Sequence, residues 1–335
     1  MAVRNYDEYV FADAYITSFA KNLMSWNDMI RLASCKNLQS AETVLQEFGY
    51  RESEELSGGD IDGFIKREQE SLHDMIYSTV PSYEELAVYF LPSDYHNVKV
   101  CLKSEFLDME PPEYMLMATG LESSRKTAGM IKERNYAFMP PEMKQAVAEA
   151  ADLFGRGGDP QEIDIIMDKA CFSQIADAAE KSGDDFLIGF VRLQIDINNI
   201  KSFMRLRQIG KAWPFFQKVF LEHGNISSRL LVTAYEEPYT QIAEKLEPYG
   251  FKNVMAEGGR SISETGDFSI FERLCDNCLM EYCRKAKYET FGPAPIAGYL
   301  YGKMTELSNL RVILTGIFIG SGQEQINEKL RDPYV

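Results

Sequence analysis

The sequence lacks the features that mark a membrane-spanning chain or a nucleotide-binding enzyme. Its most apolar run, residues 310–319, contains Arg311 and is far shorter than the roughly 20 residues that a membrane helix needs. The only suggestive glycine-rich loop, residues 156–159, has no Gly-Lys-Ser/Thr ending. Zinc-protease, serine-hydrolase and kinase motifs are absent. We therefore predict a protein that is not itself an enzyme and that holds no cofactor.

Basic residues are also in short supply. The 335 residues include 35 Lys and Arg against 51 Asp and Glu, which gives a formal net charge of −16. Nucleic acids and anionic lipids are bound through clusters of basic side chains, so this balance argues against both as partners. The N-terminal residues contain no signal-peptide apolar run. We expect a cytoplasmic protein that binds neither nucleic acid nor lipid directly.

Candidate metal ligands are few. The three histidines lie far in sequence from the one group of neighbouring cysteines, Cys275, Cys278 and Cys283. A typical zinc site would need a second pair of ligands at suitable spacing. On a helix, Cys275 and Cys278 share an apolar stripe with Phe271 and Tyr282, and free cysteine packs as a small hydrophobic residue. Core cysteines are the favoured interpretation, and a metalloenzyme is a distant alternative.

The sequence contains one short pattern three times, at residues 94–102, 196–204 and 306–314. Each copy has an acid and, three residues later, an Asn. A base lies two residues after the Asn, and apolar residues lie one, four and five residues after the Asn. The acids and amides are Asp94, Asn97, Asp196, Asn199, Glu306 and Asn309, and the bases are Lys99, Lys201 and Arg311. The Asn residues lie 102 and 110 residues apart. This spacing predicts an internal triplication with a repeat of domain size.

The pattern fits a helix, because positions one, four and five after the Asn share one helical face. The predicted core stripes are Val98/Cys101/Leu102, Ile200/Phe203/Met204 and Leu310/Ile313/Leu314. The Asn borders this stripe, and we interpret it as a half-buried side chain hydrogen-bonded to a neighbouring helix. Other helical stripes fill the chain, and no period-2 segment of strand length occurs, so the predicted class is all-α.

Capping residues predict where several helices begin. Asn37, Asp60 and the Asp159-Pro160 pair have the residue types found at helix N-termini. Apolar spacing predicts one helix over the first 35 residues, and Pro92 is expected to interrupt the chain before the first motif helix. Together with the triplicated pattern, these elements predict three similar helical domains, residues 1–110, 111–212 and 213–335, related by a pseudo-threefold axis.

Residues 296–300, Ile-Ala-Gly-Tyr-Leu, the third motif and the ending from Ile326 to Val335 resemble the C subunit of the bacterial and archaeal V/A-type ATPases. Its eukaryotic counterpart is the d subunit of the V-ATPase. The resemblance covers the whole length. It implies a funnel of three helical domains that links the central stalk, made of D-type and F-type subunits, to the membrane proteolipid ring. Such a rotor component is non-catalytic, lies at the cytoplasmic face of the membrane, and couples ATP turnover to proton or sodium transport.

Two interpretations of the motif bases follow. Lys99, Lys201 and Arg311 face away from the acids of their own motifs, because five residues of helix separate acid and base by about 140°. In the first interpretation, these bases pair with acids on other helices or lie in solvent. In the second, they face the pseudo-threefold axis and contact acidic groups or helix C-termini of the stalk. For the whole chain, the alternative function is a cytosolic all-helical scaffold or adaptor unrelated to an ATPase.

Overall fold

The computed structural model describes residues 7–50, 56, 58–157 and 159–335. These residues form helices, turns and loops without any strand, which confirms the predicted all-α class. The α-helices are α1 (Val10–Ala20), α2 (Trp26–Ala33), α3 (Leu38–Glu47), α4 (Ile61–Thr79), α5 (Ala87–Phe106), α6 (Ser124–Lys132), α7 (Pro141–Gly155), α8 (Pro160–Ser182), α9 (Asp185–Gln208), α10 (Trp213–Val219), α11 (Ser228–Thr233), α12 (Tyr239–Leu246), α13 (Gly259–Thr265), α14 (Ser269–Cys283), α15 (Pro293–Ile319) and α16 (Gln323–Asn327). Within this part of the chain, no helix combines the length and apolarity needed to cross a bilayer.

The predicted helix starts at three polar residues are confirmed. The side chain of Asn37 accepts a hydrogen bond from the backbone N–H of Ser40, three residues into the first turn. Asp60 and Asp159 accept equivalent bonds at the starts of α4 and α8. Each of these oxygens satisfies one of the backbone donors that a helix N-terminus leaves free.

The prediction of one helix over the first 35 residues is wrong, because the helix breaks between Ala20 and Trp26. Ser25 begins α2 with a capping box: its hydroxyl accepts from the backbone N–H of Asp28, and the Asp28 carboxylate accepts from the backbone N–H of Ser25. This reciprocal pair stabilises a new helix start at Ser25. The start of a new helix is therefore favoured over a continuous helix through this segment. The break leaves the backbone N–H of Met24 outside any helix.

The expected interruption at Pro92 is also wrong, since α5 continues through this residue. Proline removes one backbone donor and crowds the preceding turn, which normally costs a helix about 3 kcal/mol. Pro92 is only the sixth residue of α5, and most residues of this helix are buried. Packing along the helix therefore outweighs the loss of one hydrogen bond near its start.

The chain divides into two compact units. The first combines Met1–Pro81 with Glu237–Val335. Its core joins residues of α2 and α4, such as Met29, Leu32 and Phe64, with Leu310 and Ile313 of α15. The helices at the start of the sequence thus pack around the third motif helix.

The second unit is the continuous segment Ser82–Glu236. Here α5 packs against α6 and α8, and α8 also packs against α7 and α9. The hydroxyl of Tyr95 on α5 donates a 2.8 Å hydrogen bond to Gln174 on α8. The division into three domains at residues 110 and 212 stays a prediction.

In the first unit, α1 packs on α15 and buries an acid. Asp13 is only 7% exposed, and one carboxylate oxygen accepts a 2.9 Å hydrogen bond from the backbone N–H of Gly292. The other oxygen has no hydrogen-bond partner among the described residues. Burial raises the pKa of Asp13 from 3.8 to about 6, although the Gly292 bond opposes this rise.

The buried acid should make the stability of the protein depend on pH. Because the folded pKa of Asp13 lies above its unfolded value, the folded state loses stability as the pH rises from about 4 through about 6. Asp13→Asn keeps an acceptor for Gly292 without the charge. We expect it to be more stable than the wild type by about 1–3 kcal/mol at pH 8, with the difference vanishing near pH 4.

Chemical denaturation of both proteins at several pH values would test this. Asp152→Asn, at a side chain that is 63% exposed and pairs with Arg156, is the matched control and should show no such trend. A stability difference for Asp13→Asn that stays constant from pH 4 to pH 8 would contradict the prediction.

Candidate functional site: the three motif helices

The three motifs lie on three long helices, α5, α9 and α15, and their predicted core stripes are confirmed. All nine apolar residues of these stripes are buried. The motif acids and amides are also buried: Asn97, Asn199 and Asn309 are at most 1% exposed. The polar residues of the pattern therefore lie inside the fold, where each needs a hydrogen-bond partner.

Each motif Asn makes the same pair of hydrogen bonds to the backbone. Its side-chain N–H donates to the carbonyl of a residue 20 or 22 positions later, and its side-chain oxygen accepts from the N–H of that same residue. The pairs are Asn97 with Met117, Asn199 with Leu221 and Asn309 with Arg331, and the six distances are 2.8–2.9 Å. We call this arrangement the Asn clamp. It corrects the prediction of a half-buried Asn bonded to a neighbouring helix, because the Asn is fully buried and holds a loop.

The first two motif acids bind the backbone a few residues beyond the clamp. Asp94 accepts from the N–H groups of Leu121 and Glu122, and Asp196 accepts from those of Asn225 and Ile226, at 2.9–3.1 Å. A serine follows each pair and caps the next helix, Ser123 for α6 and Ser227 for α11. Each acid therefore fixes the start of the helix that this serine caps.

These acids approach the backbone so closely that a glycine is needed beside them. A Cβ atom at Gly120 would lie 2.1 Å from Oδ1 of Asp94, and one at Gly224 would lie 2.3 Å from Oδ1 of Asp196. Burial raises the pKa of Asp196, while the bonds from Ile226 and Asn225 favour its charged form.

The third acid obtains its partner from the other end of the sequence. Glu306 accepts from the backbone N–H of Met24, which directly precedes the helix-capping Ser25. Glu306 thus has the same relation to a serine-capped helix start as the acids of the first two copies. Glu306 also accepts from the hydroxyl of Tyr50 and pairs with Lys303 at 2.8 Å. Burial, followed by the charge of Glu306, raises the pKa of Tyr50 well above its ordinary value.

The three motif helices also end in the same way. In each helix, the backbone N–H of the residue 12 positions after the Asn donates to the carbonyl of the residue 7 positions after the Asn. The residue 11 positions after the Asn, which lies between these two, has its backbone in the left-handed region. This is the Schellman ending of a helix. The left-handed residues are Asp108, Gly210 and Gly320, with φ of 54°, 68° and 76°. The three copies therefore share a clamp, a bound helix start and a helix ending.

The motif bases Lys99 and Arg311 form ion pairs within the chain. Lys99 donates to Asp168 of α8 at 2.7 Å, and Arg311 pairs with Asp62 of α4 at 3.1 Å. The base one turn after Lys99, Lys103, also pairs across α5 and α8, with Asp164 at 2.7 Å. These acids explain why bases gather on α5 in an acidic chain. Lys201 lies partly buried on α9.

The neighbouring cysteines lie on α14. Cys275 and Cys283 are buried in the core, and Cys278 is partly buried. Burial raises the pKa of Cys278 to about 11 and raises that of Cys283 as well, so both thiols stay protonated near neutral pH. No three His, Cys, Asp or Glu side chains within the described ranges come together in an arrangement that could hold a metal ion.

Comparison with known proteins identifies the family. The sequence profile of the ATP synthase (C/AC39) subunit family matches residues 12–329, which include all three motifs and the Met24 segment. The chain belongs to this family. The relatives include the C subunit of the V-type sodium ATPase of Enterococcus hirae, which is 22% identical over 275 residues that make up 82% of this chain and 83% of the relative.

Two further relatives extend the comparison to other members of the family. The C subunit of the V-type ATP synthase of Thermus thermophilus is 20% identical over 258 residues, 75% of each chain. The C subunit of the A-type ATP synthase of Methanobrevibacter smithii is 22% identical over 178 residues, 51% of this chain and 46% of the relative. The resemblance drawn from the motifs and the C-terminal stretch is thereby confirmed.

The Asn clamp should contribute strongly to stability. Asn199→Ala would leave the buried N–H and carbonyl of Leu221 without partners, at about 1–3 kcal/mol for each group. We expect a large fall in melting temperature. Asn198→Ala is the matched control: it lies on the same helix, and its side chain donates to the carbonyl of Gln194 in the preceding turn and not to a loop. Equal melting temperatures for the two variants would contradict a structural role for the clamp.

Proposed function

We propose that the chain is a non-catalytic rotor component of a V/A-type rotary ATPase or ATP synthase. In this role it links the central stalk to the membrane proteolipid ring, at the cytoplasmic face of the membrane. The proposal rests on the family match over residues 12–329 and on relatives that are named as the C subunits of such complexes. Coupling of ATP turnover to proton or sodium transport would be a property of the whole complex.

The contacts of the motif residues support a mechanical role. The six motif acids and amides bind backbone groups or side chains of the same chain, so they brace helices against loops. A part that transmits torque needs such bracing. The equivalence of the three copies also supports the proposal of three similar helical domains around a pseudo-threefold axis, and a funnel that receives the stalk. Membership in the family argues against an adaptor unrelated to an ATPase.

Purification of the native complex would test the proposed function. A tagged copy of the chain, isolated from solubilised membranes, should bring with it the catalytic subunits, the D-type and F-type stalk subunits and the proteolipid. The purified chain alone should neither hydrolyse ATP nor bind vesicles of pure lipid. Isolation with an unrelated set of soluble proteins would favour the adaptor instead.

The motif bases are proposed to contact acidic groups or helix C-termini of the stalk. Lys99 and Arg311 already have acidic partners within the chain, but surface ion pairs contribute only about 0–1 kcal/mol. Asp168 and Asp62 are 49% and 86% exposed, so these pairs lie at the surface. A base in such a pair can also attract an acidic protein partner.

Charge reversal of the two pairs would separate these roles. The variant with Lys99→Glu, Asp168→Lys, Arg311→Glu and Asp62→Arg keeps both ion pairs and the net charge, so its melting temperature should stay close to that of the wild type. If the bases contact the stalk, the variant should bind the stalk subunits more weakly, most visibly at low salt. The control reverses Lys103 and Asp164, the pair one turn away on the same helices. Unchanged stalk binding by the four-residue variant would remove these bases from the interface.

A further inference from the structure

The three motif helices share a feature that the clamps and caps do not use. The residue directly before the left-handed position, ten residues after the motif Asn, is a large aliphatic residue in every copy: Leu107, Ile209 and Ile319. These side chains are 68%, 66% and 68% exposed. We call them the apolar tips. A single exposed aliphatic residue is ordinary, but the same exposure at one position of three repeats calls for a common cause.

The helix ending does not require an apolar residue at this position. In a Schellman ending, the accompanying apolar contact joins the residue after the left-handed one to a residue in the last turn. Those residues are Met109, Lys211 and Ser321, which share no chemical character. The left-handed residues themselves also differ, since one is Asp and two are Gly. Only the apolar tips recur, so local backbone geometry does not explain them.

Each apolar tip has a second exposed apolar residue close to it in sequence. Met109 and Phe318 are each 61% exposed, and Trp213 is 45% exposed. The charges nearby do not repeat: Asp108 and Glu110 follow the first tip, whereas Arg205 and Lys211 flank the second. What the three positions have in common is therefore apolar surface, and a partner that binds all three would bind through burial of that surface.

We propose that the apolar tips are three equivalent docking contacts for a partner that presents one apolar patch in several copies, namely the ring of identical proteolipid subunits. This inference rests on the proposed function and specifies which residues reach the ring. Three equivalent contacts suit a partner built from repeated identical subunits. The stalk, made of two different subunits, offers no repeated patch. Since the charges around the tips differ, binding should depend little on salt.

Site-specific crosslinking would test whether the three tips share one partner. A photoreactive amino acid placed at position 107, 209 or 319, one variant at a time, should crosslink to the proteolipid in the assembled complex in all three cases. Tyr114, which is 86% exposed and lies outside the repeated position, supplies the control. Crosslinks from the three tips to different subunits, or to the stalk, would overturn the proposal.

Substitution gives an independent measurement. Leu107→Gln, Ile209→Gln and Ile319→Gln combined should leave the melting temperature unchanged, because the side chains are exposed. Binding to purified proteolipid ring in detergent should weaken about tenfold for each tip that is buried on docking. Binding to the stalk subunits should stay as in the wild type. The control replaces Tyr114, Phe138 and Tyr288 by Gln, at exposed positions that do not recur.

The outcomes distinguish this inference from the proposed function. Ring binding by the triple variant that equals the wild type would overturn the docking role of the tips and leave the proposed function intact. Loss of stalk binding with ring binding retained would also overturn it. A wild-type chain that binds neither ring nor stalk would contradict the proposed function itself, and the docking role with it.

Discussion

The fold depends on an amide group that is buried next to backbone groups that water cannot reach. A buried peptide N–H and carbonyl must find partners, and a single Asn supplies both a donor and an acceptor in the correct geometry. Three such residues each join a long helix to a loop 20 or 22 residues further on. A shorter side chain would not reach the loop, and an acid would lack the donor. The motif therefore keeps Asn in all three copies, whereas its acid varies between Asp and Glu.

Much of this architecture could be predicted from the pattern of residues. The stripes beside Asn97, Asn199 and Asn309 follow from helical spacing alone, and the caps at Asn37 and Asp60 follow from residue type. Most partners of the motif polar groups could not be predicted, because they are backbone atoms, which sequence comparison does not register. A signal for them does exist: a serine lies 26 or 28 residues after each of the first two motif Asn residues and caps a helix.

The errors have a common origin in the balance between local preference and packing. Pro92 opposes a helix locally, yet the burial of α5 outweighs that preference. At Ser25 the opposite holds, since the apolar spacing favours a continuous helix but a capping box ends it. The ion pairs of Lys99 and Arg311 depend on acids 69 residues away and at the other end of the chain, respectively. Contacts of that kind follow only from the tertiary arrangement.

The bond between Met24 and Glu306 joins residues 282 positions apart, and this has a consequence for synthesis of the protein. Helices α2 to α4 leave the ribosome early, but the helix that completes their core is α15, near the end of the chain. The segment Ser82–Glu236 is continuous and has its partners within itself as soon as it emerges. The apolar faces of α2 to α4 therefore lack their packing partner α15 until translation is nearly finished. Chaperones would be needed most during this interval.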